Sequence, residues 1–311
     1  MKKYLIFFII VILATTVTAE KLQPLSIILD WFVNPTHGPI VLAQEKDFFK
    51  RAGLKVKIIT PADPNDTNKL VAAGKADIGI GSDPQFLILT NAGLPLLRIG
   101  TLINAPLDAL TVNKNSGVNK LVQIKGKTIG YPVGAIDKFR LQVMLDNVGL
   151  SLKDVHLVDV HYNLVQALLS EKVDAIDGAM RNYEVPQIKL QKFPVNTFYP
   201  ENYGLPSYAE LNYIINRKDK NDPRIRKFFR AIKNATLYIK QHPKASWQIL
   251  LAAHPELNTK LNRISWKMTY PLFPNNPSYT NQDDFMCLVK LMHRYKWLKD
   301  IHHYSYYVAQ K

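Results

Sequence analysis

The chain repeats itself weakly, and this constrains its fold more than any other feature. The first copy opens with the apolar run LSIILDW and breaks at Asn34-Pro35. It continues as the helical pattern GPIVLAQEKDFFKRAG, the strand-like LKVKIIT, the short helical NDTNKLVAAG and the strand-like ADIGIG. The second copy opens with KTIGYP, breaks at Gly134, and runs through IDKFRLQVMLDNVG, VHLVDV, NLVQALLSEK and VDAIDGAM. The match reaches single residues: Gly53-Leu54 against Gly149-Leu150, and Lys75-Ala76-Asp77 against Lys172-Val173-Asp174. Glycine just past a helix is the usual left-handed stop. Each copy therefore reads strand–helix–strand–helix–strand, a unit that builds a parallel sheet by right-handed crossovers.

Two such units imply an α/β molecule of two lobes, each a mainly parallel sheet flanked by helices. LPLLRIGTLI and DALTVNKNSG lead out of the first copy, ELNYIINRKD leads back, and a helical tail runs from Pro223 to the end. The expected division is residues 20–112 and 213–311 for lobe 1 and 113–212 for lobe 2, with crossings near Asn113 and Asn212. Two crossings make a two-strand hinge, suited to closing on a ligand held at the carboxyl ends of the strands.

Ahead of this lies a basic pair, Lys2 and Lys3, an apolar run from Leu5 to Leu13, and small residues at Val17 and Ala19. That pattern predicts a signal peptide over residues 1–19, cut after Ala19, because a spanning helix needs ~20 apolar residues. No cysteine lies near the cut, so the expected product is a periplasmic protein without a lipid anchor. The net charge of +15 is spread along the chain, with a modest cluster from Arg217 to Arg230 and no nucleic-acid motif. It reads as a solvated basic surface, with no nucleic-acid partner expected. The single cysteine, Cys287, is expected to be a buried small apolar residue. His302 and His303 are adjacent and cannot both face one ion in a regular element, and HEXXH, CXXC and GXXXXGK[ST] are absent, so no metal site is expected. Tyr304, Tyr306 and Tyr307 are expected to pack onto a lobe.

Four loops at strand ends converge on the expected cleft: DWFVNPTHGP, GSDPQF, GYPVGAID and GAMRNYEVP. Their residue types suit a flat polar ring. Trp31 and Tyr183 offer stacking faces. Asn34, Asp83, Gln85, Asn182 and Glu184 offer hydrogen bonds to ring nitrogens or an amine, and His37 and Arg181 are further candidate contacts. In the third loop Tyr131, Gly134 and Asp137 lie where a helix start could aim its amides at an anionic or carbonyl group. Tyr203, ahead of the second crossing, completes the candidates. Several have structural readings too: Trp31 as core, Asp30 as a brace for its turn, His37 as a helix-start residue, Arg181 as the partner of a structural carboxylate.

The stretches LDWFVNPTHGPIVLAQEKDFF, PADPNDTNKLVAAGKADIGIG, IKGKTIGYPVG and DGAMRNYEVP resemble the family of bacterial thiamine-pyrimidine-precursor binding proteins and fungal pyrimidine synthases. The similarity runs to about Ile239 and is nearest to the bacterial formylaminopyrimidine binders. It implies a type II periplasmic binding fold, an aminopyrimidine ligand, an ABC transporter permease as partner, no cofactor, and a monomer. Binders of nitrate, taurine and alkanesulfonates share the fold more loosely, so a sulfonate, taurine or a riboflavin-like ring is an alternative ligand. The fungal members imply the other alternative, a hydroxymethylpyrimidine phosphate synthase that consumes pyridoxal phosphate and one of its own histidines. Their lysine and histidine would fall near Gly81 and Gln85, and their Cys-rich stretch near YGLPSYAEL, which holds no cysteine. Neither Gly nor Gln forms a Schiff base or donates an imidazole. A binding protein is therefore expected rather than an enzyme.

Overall fold

A computed structural model describes residues 21–309, so the expected signal peptide lies outside the described residues. The first duplicated unit folds as β1 (Gln23–Ile28), α1 (Gly38–Glu45), α2 (Phe48–Arg51), β2 (Leu54–Ile59), α3 (Thr67–Ala72) and β3 (Ile78–Gly81). Then come α4 (Asp83–Asn91), β4 (Leu96–Ile103) and β5 (Leu110–Asn113). The second unit is β6 (Thr128–Tyr131), α5 (Gly134–Asp146), β7 (His156–Asp159), α6 (Leu164–Leu169) and β8 (Ala175–Ile176). It is followed by α7 (Glu184–Leu190), β9 (Val195–Phe198) and β10 (Leu211–Asn216). The tail is α8 (Pro223–Gln241), α9 (Pro243–Ala253), α10 (Lys260–Thr269), α11 (Gln282–Arg294) and α12 (Tyr304–Tyr307).

The strands form two five-membered sheets, ordered β2-β1-β3-β10-β4 and β7-β6-β8-β5-β9. In each, the three strands of the duplicated unit run parallel. The fourth is antiparallel and the fifth antiparallel to it, so four of five strands share a direction. The antiparallel member is in both cases the strand that has just crossed from the other sheet. Strand pairing thus carries the chain between sheets through residues 104–109 and 199–210. These two segments are proposed as the hinge, a few residues before the crossings expected at Asn113 and Asn212. The shift arises because Leu110–Val112 hydrogen-bond with β9, in the second sheet.

The expected helix after Asn34-Pro35 is broken: Asp47 takes φ 55° and splits α1 from α2. The glycine stops hold, with Gly53 at φ 79° and Gly149 at φ 75°. α8 places Ile225, Phe228, Ile232, Ala235 and Ile239 in the first sheet's core. α11 buries Phe285, Leu288, Val289 and Met292 near α4, and Tyr304 and Tyr307 pack on Phe285. Cys287 is exposed, contrary to expectation. It lies on the outer side of α11, since the helical period sends its neighbours Phe285 and Leu288 inward. The tail also reaches the second lobe: Trp297 Nε1 donates to Gln142 on α5 at 2.5 Å and the Tyr295 hydroxyl to Asp146 at 2.8 Å. Among the described residues no helix is long and apolar enough to cross a membrane, and no group of three or more His, Cys, Asp or Glu is placed to hold a metal.

Every residue of β4 is buried, because both faces of its sheet are covered. Gly100 in this strand lies under the Pro277 carbonyl, which accepts the Thr101 N–H at 2.7 Å. A Cβ at Gly100 would overlap that oxygen and come within 2.6 Å of the Phe229 ring. Gly100→Ala should therefore destabilise the protein by ~1–3 kcal/mol through overpacking. Urea unfolding is the check, and a midpoint equal to wild type would mean that the Pro277 segment does not press on β4.

Candidate functional site

The carboxyl ends of β1, β3, β6 and β8 open into one cleft. Asp30, Trp31 and Asn34 enter it after β1, Ser82 and Gln85 after β3, Val133, Ile136 and Asp137 after β6, and Met180, Tyr183 and Glu184 after β8. Asp108 and Glu210 enter from the two crossing segments. The lining is mostly apolar with a few convergent polar groups, the usual make-up of a small-molecule site.

The lobes touch across the mouth. Tyr162, on the loop after β7, donates its hydroxyl to the Pro61 carbonyl at 3.1 Å. Its ring meets Trp31 edge-on with centroids 4.3 Å apart. Asn65 Nδ2 reaches the Pro132 carbonyl at 3.4 Å. Trp31 Nε1 is buried with no hydrogen-bond partner among the described residues.

Under the other end sits Arg140 of α5, 1% exposed. Its Nε donates to both Asp177 oxygens at 3.2 and 3.1 Å, Nη1 donates to Asp108 Oδ2, and Nη2 to Asp137 Oδ1. Asp137 Oδ2 takes the Val133 N–H at 2.7 Å, capping the start of α5. Glu210 Oε2 takes the Leu107 and Asp108 N–H groups at 2.7 and 3.2 Å, tying one crossing segment to the other. Burial holds the Asp137, Asp177 and Glu210 carboxyls above the usual range; the negative charge of Asp108 adds to each and Arg140 opposes.

Glu184 opens α7 and accepts the Met180 N–H at 3.0 Å. Loss of solvation pushes its carboxyl up to about 7, against the pull of the Glu184 and Met180 N–H groups and with a further push from Asp108 and Asp30. Such a group carries or gives up a proton near neutrality, which suits a weakly basic ring.

Of the sequence candidates, Trp31, Asn34, Gln85, Asp137 and Glu184 line the cleft, as does Tyr183. Asn34 is largely committed to its own turn, since Oδ1 accepts from Thr36 N at 2.8 Å and from the Thr36 hydroxyl at 2.6 Å. Gln85 Oε1 accepts from Asn68 Nδ2 at 3.2 Å. The remaining candidates lie elsewhere. His37 is fully buried: Nδ1 accepts the Asn34 N–H at 3.2 Å, which leaves Nε2 to donate to Asp30 at 2.9 Å. It positions Asp30, and Asp30, read from sequence as a brace, is the one in the cleft. Asp83 turns away to Arg98 Nε at 2.7 Å and Asn212 Nδ2 at 2.8 Å, because a buried arginine on β4 requires a carboxylate.

Tyr131 is buried beside α5, with Lys138 over its ring. Gly134 offers no tight approach, since a Cβ there would be 3.7 Å from the nearest atom, and Asp137 takes the Val133 N–H, one of the amides at the start of α5. Arg181 pairs with Glu201 and holds the Leu107 carbonyl, bracing the first crossing. Asn182 is buried and donates to Thr269 at 2.7 Å, and Tyr203 packs on Phe198. Asp108 and Glu210 went unnoticed in the sequence. The signal available was an acid one or two residues ahead of a strand-like run, in PLDALTV and YAELNYII.

A family model described as NMT1/THI5 like matches residues 34–246. The chain belongs to the NMT1/THI5-like family. A Haemophilus influenzae protein assigned to thiamine biosynthesis is 40% identical over 281 residues, 90% of each chain. The formylaminopyrimidine-binding protein of Halalkalibacterium halodurans is 27% identical, over 78% of this chain and 74% of that one. A 4-amino-5-hydroxymethyl-2-methylpyrimidine phosphate synthase of Saccharomyces cerevisiae is 28% identical, over 83% and 79%. So the NMT1/THI5-like family includes both binders and enzymes. In fold, this member is similar to the alkanesulfonate-binding protein of Xanthomonas axonopodis, with a TM-score of 0.70 at 16% identity, covering 89% of this chain and 95% of that one. The α/β architecture expected from the duplication is thus that of periplasmic binding proteins.

Proposed function

We propose that this chain is the periplasmic substrate-binding component of an ABC importer, and that its cleft captures a thiamine pyrimidine precursor of the formylaminopyrimidine or hydroxymethylpyrimidine type. The observation that carries the reading is Glu184, a carboxyl pushed up to about 7 in a cleft walled by Trp31 and Tyr183. An aminopyrimidine is flat and presents a ring nitrogen beside an exocyclic amine. One carboxyl group can serve both, accepting from the amine and sharing a proton with the nitrogen. The two crossing segments suit closure on the ligand, and the formylaminopyrimidine-binding relative supports the ligand class. No lysine or histidine is among the described residues lining the cleft, which weighs against Schiff-base chemistry of the fungal type. Delivery to a permease, processing after Ala19 and action as a monomer belong to the same proposal.

Mass spectrometry of the small molecule released from protein recovered by periplasmic extraction tests this. The expected result is an aminopyrimidine. A sulfonate in its place would overturn the ligand, and an aldimine absorbance on incubation with pyridoxal phosphate would favour the synthase reading.

A further inference from the structure

The cleft's hinge end is acidic beyond what its own arginine balances. Four carboxyl groups, Asp108, Asp137, Asp177 and Glu210, lie around one guanidinium, and Arg140 bonds to the three aspartates. Two oxygens are left over. Asp108 uses only Oδ2, and Glu210, 1% exposed, uses only Oε2, so Asp108 Oδ1 and Glu210 Oε1 have no hydrogen bond among the described residues. Both side chains line the cleft. Four amides around the cleft are already taken by the chain's own carboxylates: Val133 by Asp137, Met180 by Glu184, and Leu107 and Asp108 by Glu210.

We propose that this hinge end is a subsite for a primary ammonium, held by Asp108 Oδ1 and Glu210 Oε1. The inference rests on the aminopyrimidine reading and refines it. A ring whose side arm ends in a protonated amine binds more tightly than the same ring ending in a formamide, an alcohol or a phosphate. An ammonium brings three donors and a positive charge to two free acceptors, and charge-assisted bonds are about twice as strong as neutral ones. A phosphate meets like charge there. The two acceptors lie on different crossing segments, so the cation also links both strands of the hinge.

The groups facing this subsite are Arg140, Asp137 and Asp177 from the second lobe, Asp108 and, on the second crossing, Tyr208 and Glu210, with Glu184 and Asp30 across the cleft. Burial keeps the Glu210 carboxyl protonated above its ordinary range. A bound ammonium displaces that proton, so amine binding strengthens as pH rises, until the amine itself deprotonates.

Calorimetric titration of the processed full chain with four aminopyrimidines sharing one ring, with aminomethyl, formamidomethyl, hydroxymethyl and phosphate-ester arms, tests this. Two buffers of different ionisation enthalpy report the proton. The amine should bind about tenfold or more tighter than the alcohol, with the phosphate weakest, and the amine should release more protons than the alcohol or the formamide, which share its ring. Glu210→Gln, which keeps an acceptor for the Leu107 and Asp108 amides, should bring the amine's advantage below about threefold. The wild-type ranking and proton count stand even where that variant folds poorly. Equal binding of amine, formamide and alcohol, or no more proton release with the amine than with the alcohol, overturns the subsite and leaves the aminopyrimidine reading intact. Failure of all four compounds to bind overturns both.

Discussion

Arg140→Leu should cost the fold about 3–5 kcal/mol, a large share of the 5–15 kcal/mol by which a domain is stable. Leucine fills part of the space but leaves Asp108, Asp137 and Asp177 buried without their counter-charge. Each must then fold protonated or pull water into the core. Asp137 and Asp177 are already held above the usual carboxylate range by burial, and removing the guanidinium raises them further. Folding then takes up protons. Stability from the neutral carboxyls is present below the unfolded value near 4 and is lost as pH rises through the folded values. The deficit should therefore be larger at about pH 8 than at about pH 5, and thermal melts at the two pH values measure it. A variant melting within about 2 °C of wild type at the higher pH would show that Arg140 does not neutralise the cluster. Changing Asp108, Asp137 and Asp177 to asparagine on top of Arg140→Leu should recover part of the loss, because polar neutral groups bury more cheaply than charges.

Glu184→Gln should weaken aminopyrimidine binding by roughly 10- to 100-fold. A buried charge-assisted hydrogen bond contributes ~1.5–3 kcal/mol, and ~1.4 kcal/mol is a factor of ten. Glutamine keeps the shape and the acceptor for the Met180 N–H but cannot share a proton with the ring. Trp31→Ala should cost a similar amount if the indole stacks on the ligand, since an aromatic pair gives about 0.5–1.5 kcal/mol beyond the area it buries. The unliganded protein carries an independent signature. With its carboxyl pushed from 4.5 up to about 7, Glu184 contributes stability that is present below about 4.5 and lost as pH rises through about 7. Glu184→Gln should flatten that part of the stability–pH curve. Binding as tight as wild type together with a lower melting temperature would make Glu184 a brace for the start of α7 and would sink the ligand reading.

The sequence alone determined the architecture. Alternating apolar strands, helical periods and glycine stops are local patterns, and their repetition in LSIILDW to ADIGIG and KTIGYP to VDAIDGAM specified two sheets of like topology. It also determined where a cleft must lie, because parallel strands bring their carboxyl ends to one edge. The tertiary structure decided which side chains face that cleft. His37 and Asp30 sit seven residues apart on one loop, and a few turn dihedrals send the imidazole into the core and the carboxylate to the cleft. Asp83 was lost to the cleft because Arg98, distant from it on another strand, needed a buried partner. Asp108 and Glu210 come together only because the chain crosses twice at one place, and nothing local to PLDALTV or YAELNYII announces that meeting. Burying a charge requires partners, and in this fold most of the partners come from segments far apart in the chain. Periodicity therefore fixes the frame, while the placement of charge is settled only when the two lobes and their crossings are assembled.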